Sequence, residues 1–234
     1  MSQALNHNQE SFLNYISKRL GRERRSNVTS PKYSQFPWDH LYQDLNQEGL
    51  IQQFIENLKA ISGKVIRIPS SQVAEQILQI VKEIQAKRVI SWDDPRLDEY
   101  GIEEFIKEKV EYMKWDINKD FETLTQYAEK SHLGITFAEL GLSETGTIVL
   151  YNEGGKGRSV SLLPEVHLAI LPSNKIVPRL TQAMKMIKGT LDEYGRLPSL
   201  INFISGPSRT SDIEMVLTTG VHGPKNLYVL IVDE

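Results

Sequence analysis

Three turns in the C-terminal half concentrate the residues able to do chemistry. Ser143-Glu144-Thr145-Gly146-Thr147 sets a carboxylate beside a glycine, where the backbone can approach a ligand closely. Ser205-Gly206-Pro207-Ser208-Arg209-Thr210 adds hydroxyls and a guanidinium, and runs on into Ser211-Asp212-Ile213-Glu214. Gly220-Val221-His222-Gly223-Pro224 adds an imidazole ahead of the last apolar run. Turns rich in Gly, Pro and hydroxyl residues free backbone N–H groups at strand ends, where open α/β sheets bind ligands. Glu144 could serve as nucleophile, general base or acceptor for a hydroxyl, or as a turn glutamate that takes local N–H groups. Ser208, Thr210 or Ser211 could cap a short helix around Asp212–Met215, whose start, with Arg209, could hold a carboxylate or phosphate. A capped turn in which Arg209 pairs with Asp212 or Glu214 would read the same way. His222, between glycines, suits acid–base duty.

A fourth segment, Gly154-Gly155-Lys156-Gly157-Arg158, could cradle an anion with successive N–H groups and its two cations, or be a mobile connection between strands. Arg158 is counted among the candidate ligand-binding residues. The segment lacks the spacing of a Walker loop, and no G-x-G-x-x-G dinucleotide fingerprint occurs in the chain. His167 opens an apolar strand and reads as a structural histidine with its polar atoms satisfied. His7, His40 and His132 are scattered, without H-x-x-x-H or H-E-x-x-H spacing, so no zinc site is expected. No G-x-S-x-G elbow supports a serine triad.

The elements that must position these groups alternate in type. Phe12, Ile16 and Leu20 predict a short amphipathic helix over 8–20, followed by a basic, Pro-containing arm over 21–37. Lys18, Arg19, Arg22, Arg24 and Arg25 form its cationic cluster, read as charges favourable at a helix C-terminus or as a contact for a partner or an anion. A second helix is expected over 40–60, with Gly49 as an interruption. Lys64–Ile68 reads as a strand, Ser70 or Ser71 as a cap, and the stripe Val73, Ala74, Ile77, Leu78, Val81, Ile84 as a helix leading to the strand Arg88–Trp92. Asp93–Glu104 is an irregular acidic connection; Glu103–Met113 and Phe121–Lys130 look helical. Leu133–Ala138, Thr147–Tyr151, His167–Leu171, Leu200–Ile204 and Leu227–Val232 complete the strands. Thr147–Tyr151, apolar on both faces, is expected at the centre of a doubly covered sheet. Pro178 is placed at the first turn of a helix carrying Leu180, Ala183, Met184, Ile187 and Leu191. The reading is an α/β chain: an open, largely parallel Rossmann-like sheet flanked by helices, with an N-terminal helical extension. It divides into residues 1–39 (helix and arm) and 40–234 (α/β domain).

Composition narrows the partners. Thirty acidic against 27 basic residues leave a net charge of −3, which argues against a nucleic-acid binder. The chain has no cysteine, which excludes its own disulfides and thiolate metal sites and fits a cytoplasmic location. No apolar run approaches the roughly 18 residues of a membrane-spanning helix. Helices ahead of a compact sheet are candidates for a homodimer contact.

Taken together, Glu144-Thr145-Gly146-Thr147-Ile148-Val149, Gly157-Arg158 with Ser161-Leu162-Leu163-Pro164 and His167, Ser205 to Thr210 with Asp212-Ile213-Glu214, and Gly220 to Pro224 resemble the lactate-utilisation protein C family, the stand-alone LUD-domain proteins of bacterial lactate operons. The resemblance is strong over about 130–234 and looser over 40–130. It implies a fold similar to the glucosamine-6-phosphate deaminase, ribose-5-phosphate isomerase and CoA-transferase superfamily. It also implies a part in oxidising L-lactate to pyruvate beside iron–sulfur partner proteins. A cysteine-free chain would leave the clusters to those partners, so no directly bound cofactor is expected. Ser143-Glu144-Thr145-Gly146 is also similar to the Ser-Glu-Asn-Gly turn that carries the nucleophile of CoA transferases, with Thr145 in place of Asn. That likeness keeps acyl transfer through Glu144, and a purely assembling role, as alternatives.

Overall fold

The structure is a computed structural model and describes residues 2–24, 29, 40–42, 44–211 and 217–233. The chain falls into two compact units, Met1–Gln43 and Asp44–Glu234. In the first, helix α1 (Ser2–Arg19) starts earlier than expected, and Lys18 and Arg19 occupy its last turn, where cations oppose the negative end of the helix dipole. Arg24 pairs with Glu10, Nη2 to Oε1 at 2.8 Å, so this arginine of the basic cluster is neutralised within the unit.

The second unit opens with α2 (Gln47–Ala60), which begins later than expected. Asn46 stops it from extending further back: its side chain accepts from the Gly49 N–H at 2.9 Å, an N-cap that places Gly49 in the first turn rather than at a break. Strand β1 (Lys64–Pro69) follows. A 3₁₀ turn, Ser70–Gln72, leads into α3 (Val73–Glu83), and neither serine side chain caps it. Then come β2 (Arg88–Ser91), the short helices α4 (Pro95–Glu99) and α5 (Ile102–Ile106), β3 (Glu111–Lys114), α6 (Phe121–Glu129) and β4 (Leu133–Phe137). The helix expected to run to Met113 ends at Ile106, because residues 111–114 pair in parallel with β2, and Tyr112 Oη meets Ser91 Oγ at 2.7 Å.

Next are β5 (Leu140–Leu142), β6 (Thr147–Asn152), α7 (Ser159–Leu162), β7 (Val166–Pro172), β8 (Ile176–Val177), α8 (Leu180–Tyr194), β9 (Leu200–Ile204), β10 (Arg209–Ser211), β11 (Leu217–Thr219) and β12 (Asn226–Asp233). Six strands form one all-parallel sheet in the order β1-β12-β7-β4-β2-β3. Every residue of β4 and β7 is buried, the mark of parallel strands covered on both faces. Leu50, Ile51, Phe54 and Leu58 of α2 and Val73, Ile77, Ile80 and Val81 of α3 contribute to the core.

Two strands expected in this sheet belong elsewhere. β6 and β9 lie in a second, mostly antiparallel sheet of order β8-β5-β6-β9. The turn at Ser143–Gly146 folds β6 back onto β5, which removes it from any parallel pairing. Its two buried faces are real, since Ile148, Val149 and Leu150 are all inaccessible. Ala183 of α8 packs with Leu140, Leu142 and Val149 on this sheet. Pro178 also differs from expectation: α8 starts at Leu180 with Arg179 as N-cap, and the Pro178 carbonyl instead accepts from Glu144 N–H at 3.0 Å. Among the described residues no helix is long and apolar enough to cross a membrane.

Candidate functional site

The turns at 205–209 and 220–224 are stitched into one structure. β10 and β11 pair antiparallel, Arg209 opposite Thr219, and below them Ser208 N–H donates to the Pro224 carbonyl (2.9 Å) while Gly220 N–H donates to the Ser208 carbonyl (2.9 Å). The His222 N–H reaches Ser208 Oγ at 3.3 Å. Residues 209–211 are therefore strand, paired with β11. Asp212, Glu214 and the rest of the expected helix lie outside the described residues.

At the base of this hairpin is a cavity of about 300 Å³. Ser205, Gly206, Ser208, Arg209, His222 and Gly223 all line it, so six of the sequence-derived site residues share one space. Leu162, Phe203, Ile204 and Leu227 give it apolar walls, and no carboxylate appears among its described lining residues. An arginine and a histidine without a facing carboxylate favour an anionic ligand. Thr210 is in β10 but does not line the space.

His167 lines the same cavity, and it departs from the expected satisfied histidine. The ring is 1% exposed; Nε2 lies 2.8 Å from Thr136 Oγ1, while Nδ1 has no hydrogen-bond partner among the described residues. Burial pushes the imidazole down from 6.5 to about 3, so it is neutral at physiological pH.

The Glu144 turn stands beside this cavity without lining it. Glu144 Oε2 accepts from Arg179 Nε at 2.8 Å. Gly146 does approach another chain segment closely, but that segment is α2: at φ 59° an added Cβ would sit 2.4 Å from the Leu58 amide nitrogen. Gly206, at φ 78°, meets the end of the same helix, with its Cβ position 2.8 Å from the Ile61 carbonyl oxygen. The two glycines thus dock the turns on α2, aided by Asn57 Nδ2 donating to the carbonyls of Ser143 (2.8 Å) and Glu144 (3.0 Å). Thr147 connects turn to cavity, its Oγ1 lying 2.6 Å from both Thr145 Oγ1 and Ser205 Oγ.

Arg158 lines neither this cavity nor the one described next. Its glycine-rich loop is pinned rather than mobile. Asp93 N–H donates to the Gly155 carbonyl (3.0 Å), Trp92 Nε1 donates to the Gly157 carbonyl (2.9 Å), and a Cβ on Gly157 would sit 2.1 Å from the Trp115 ring. The loop covers the C-terminal end of β2. There the winding of the parallel sheet reverses: the chain leaves β2 toward β3 on one side, and β4 toward β7 on the other. Such a reversal opens a crevice at the carboxyl ends of the two strands.

Three charged side chains missed in the sequence, Asp94, Arg96 and Glu139, meet Lys156 of the glycine-rich loop there, beside a cavity of about 520 Å³. Asp94, 2% exposed, accepts from Arg96 N–H (3.1 Å), Nε (3.0 Å) and Nη2 (2.6 Å). Arg96 also donates Nη1 and Nη2 to Glu139 (2.9 and 2.6 Å) and stacks 4.0 Å over the Phe137 ring. Lys156 Nζ lies 3.2 Å from Asp94 and 3.5 Å from Glu139. Burial alone would raise the Asp94 carboxyl pKa, yet hydrogen bonds from Arg96 and attraction to Arg96 and Lys156 outweigh it and hold it below the usual value. Two carboxylates cancel two cations, so the quartet offers no net charge for an anion. A signal for it existed, because Asp94 and Glu139 each stand just beyond the C-terminal end of a predicted strand.

Residues 51–232 match the LUD domain family. Lactate utilization protein C 1 of Bacillus mycoides (strain KBAB4) is 40% identical over 229 residues, covering 97% of each chain. Lactate utilization protein C of Bacillus subtilis (strain 168) is 38% identical over 233 residues, again covering 97% of each. In fold, the crystal structure of a DUF162 family protein from Deinococcus radiodurans is similar, with a TM-score of 0.58 at 20% identity over 80% of this chain and 99% of that one. The match across the second unit and the full-length identity to these relatives make the chain a member of the LUD domain family.

Proposed function

We propose that this chain is a cytoplasmic component of a system that oxidises L-lactate to pyruvate, and that it binds a small anionic ligand in the hairpin cavity while iron–sulfur partner proteins carry the electrons. The observation that carries the ligand half of this reading is the convergence of Arg209, His222 and the serine hydroxyls on one cavity whose described lining holds no carboxylate. Lactate enters through the names of the full-length relatives. The division of labour follows from composition: without cysteine, this chain cannot supply the thiolates that hold most iron–sulfur clusters.

Arg209 supplies the charge that a carboxylate or phosphate would pair with, and the Ser205 and Ser208 hydroxyls add donors beside it. Glu144 orders its own turn through Arg179. The test is lactate-dependent dye reduction in anaerobic extract of cells lacking this chain, with purified protein added back. Wild-type protein is expected to restore reduction and folded Arg209→Ala to fail. Restoration by both would remove the cavity from the function and leave the chain a scaffold; restoration by neither would refute the role in lactate oxidation.

A further inference from the structure

We infer that the His167 Nδ1–H group is the ligand-reading donor of the hairpin cavity, and that the cavity selects small carboxylates bearing a second, uncharged oxygen, carbonyl or hydroxyl, over plain carboxylates. This rests on the anion-binding reading of the cavity and deepens it.

Thr136 is fully buried, and His167 Nε2 is the one hydrogen-bond partner of its hydroxyl among the described residues. The contact can be made in two ways, according to the tautomer. If Nε2 carried the hydrogen and donated it, the Thr136 proton would be left in the core without an acceptor and the Nδ1 lone pair without a donor. If Thr136 donates to Nε2, both of those deficits vanish and a single group remains unmatched, the Nδ1–H. Buried donors without partners are rare because water is lost and nothing replaces it, so the second arrangement is favoured. The remaining donor belongs to a residue that lines the cavity, and in this proposal an oxygen of the ligand completes it.

The chemistry of the walls defines that oxygen. His167 is held neutral by burial, so it donates without adding charge and is a poor mate for a second carboxylate. A carbonyl or hydroxyl oxygen fits it, while the negative group pairs with Arg209 and the exposed His222. Leu162 and Leu227 provide apolar contact for a short carbon chain. A site built to hydrogen-bond an oxygen discriminates strongly against the analogue without it, because its own donor is then left buried and unmatched.

Calorimetric titration of the full chain with pyruvate, L-lactate and propionate tests this. Propionate carries the charge and the carbon chain but lacks the second oxygen. Wild-type protein is expected to bind pyruvate or L-lactate at least roughly tenfold more tightly than propionate. His167→Gln, whose amide can reach the Nε2 position and keep Thr136 matched, should erase the preference. His167→Asn, whose amide falls near the Nδ1 position, should keep part of it. Because a variant could fail to fold, long-range proton–nitrogen NMR on wild-type protein reads the tautomer directly, and an Nε2–H ring overturns the inference whatever binds. Equal binding of all three acids, or a preference that survives His167→Gln, overturns it and leaves the anion-binding reading standing. No binding by any of the three overturns both.

Discussion

Acidification should expose the buried His167 as a measurable loss of stability. The ring is neutral in the folded chain, its pKa pushed from 6.5 to about 3 by burial. The unfolded chain takes up a proton near 6.5, which the folded chain refuses until about 3, so stability is complete above the first value and falls as pH drops toward the second. Each pH unit inside that window costs about 1.4 kcal/mol. Going from about pH 6.5 to about pH 5 therefore removes about 2 kcal/mol, and the whole window is worth on the order of 5 kcal/mol, a large share of the roughly 5–15 kcal/mol that keeps a domain folded. Urea unfolding at about pH 7, 6 and 5 isolates the effect when wild type and His167→Gln are compared, because the variant keeps every other titrating group. The wild-type advantage over the variant should shrink by about 2 kcal/mol across this range. The range ends above the ordinary carboxylate region, so the Asp94 pair does not interfere. A constant difference between the two proteins would refute the reasoning, as would an NMR titration of the His167 ring with a midpoint near 6.5.

Asp94→Ala should cost roughly 2–4 kcal/mol by urea unfolding near neutrality, since it leaves Arg96 and Lys156 with one carboxylate between them, and the partial exposure of both cations keeps the figure below that of a fully buried pair. Because the Asp94 carboxyl sits below its usual range, that contribution is present above about pH 4 and is lost at lower pH; a deficit that grew on acidification would contradict the assignment. Gly157→Ala should drive a methyl into Trp115, cost about 1–3 kcal/mol and change tryptophan emission; an unaltered spectrum would mean that the loop is not pinned. Gly206→Ala should lower stability by about 1–2 kcal/mol or more, through its left-handed backbone and the nearby Ile61 carbonyl, as read from the thermal midpoint; no change would place that turn away from α2.

Much of the local structure was legible in the sequence because its causes are local. The stripe of α3, the all-apolar runs that became β4, β7 and β12, and the positive-φ glycines at 146, 206 and 220 each follow from residue type and spacing within about a dozen positions. The turns rich in chemical groups could be found for the same reason. Helix ends were less legible: Asn46 and Arg179 set where α2 and α8 begin, and neither stands where an apolar pattern changes.

Pairing was not legible. Thr147–Tyr151 and His167–Leu171 read alike, as runs covered on both faces, yet one lies antiparallel in the second sheet and the other at the heart of the parallel one. Backbone N–H and C=O groups are the same in every strand, so the choice of partner rests with turns and with surfaces far away in the chain. The same distance hid the sites. Sequence determined which groups are available: a guanidinium at 209, imidazoles at 167 and 222, hydroxyls at 205 and 208. Tertiary structure alone decided that they share one cavity, that Asp94 and Glu139 meet across the reversal in the sheet, and that His167 holds an unmatched nitrogen. Hydrogen-bond satisfaction and burial belong to surroundings assembled from distant segments, and those exist only once the chain has folded.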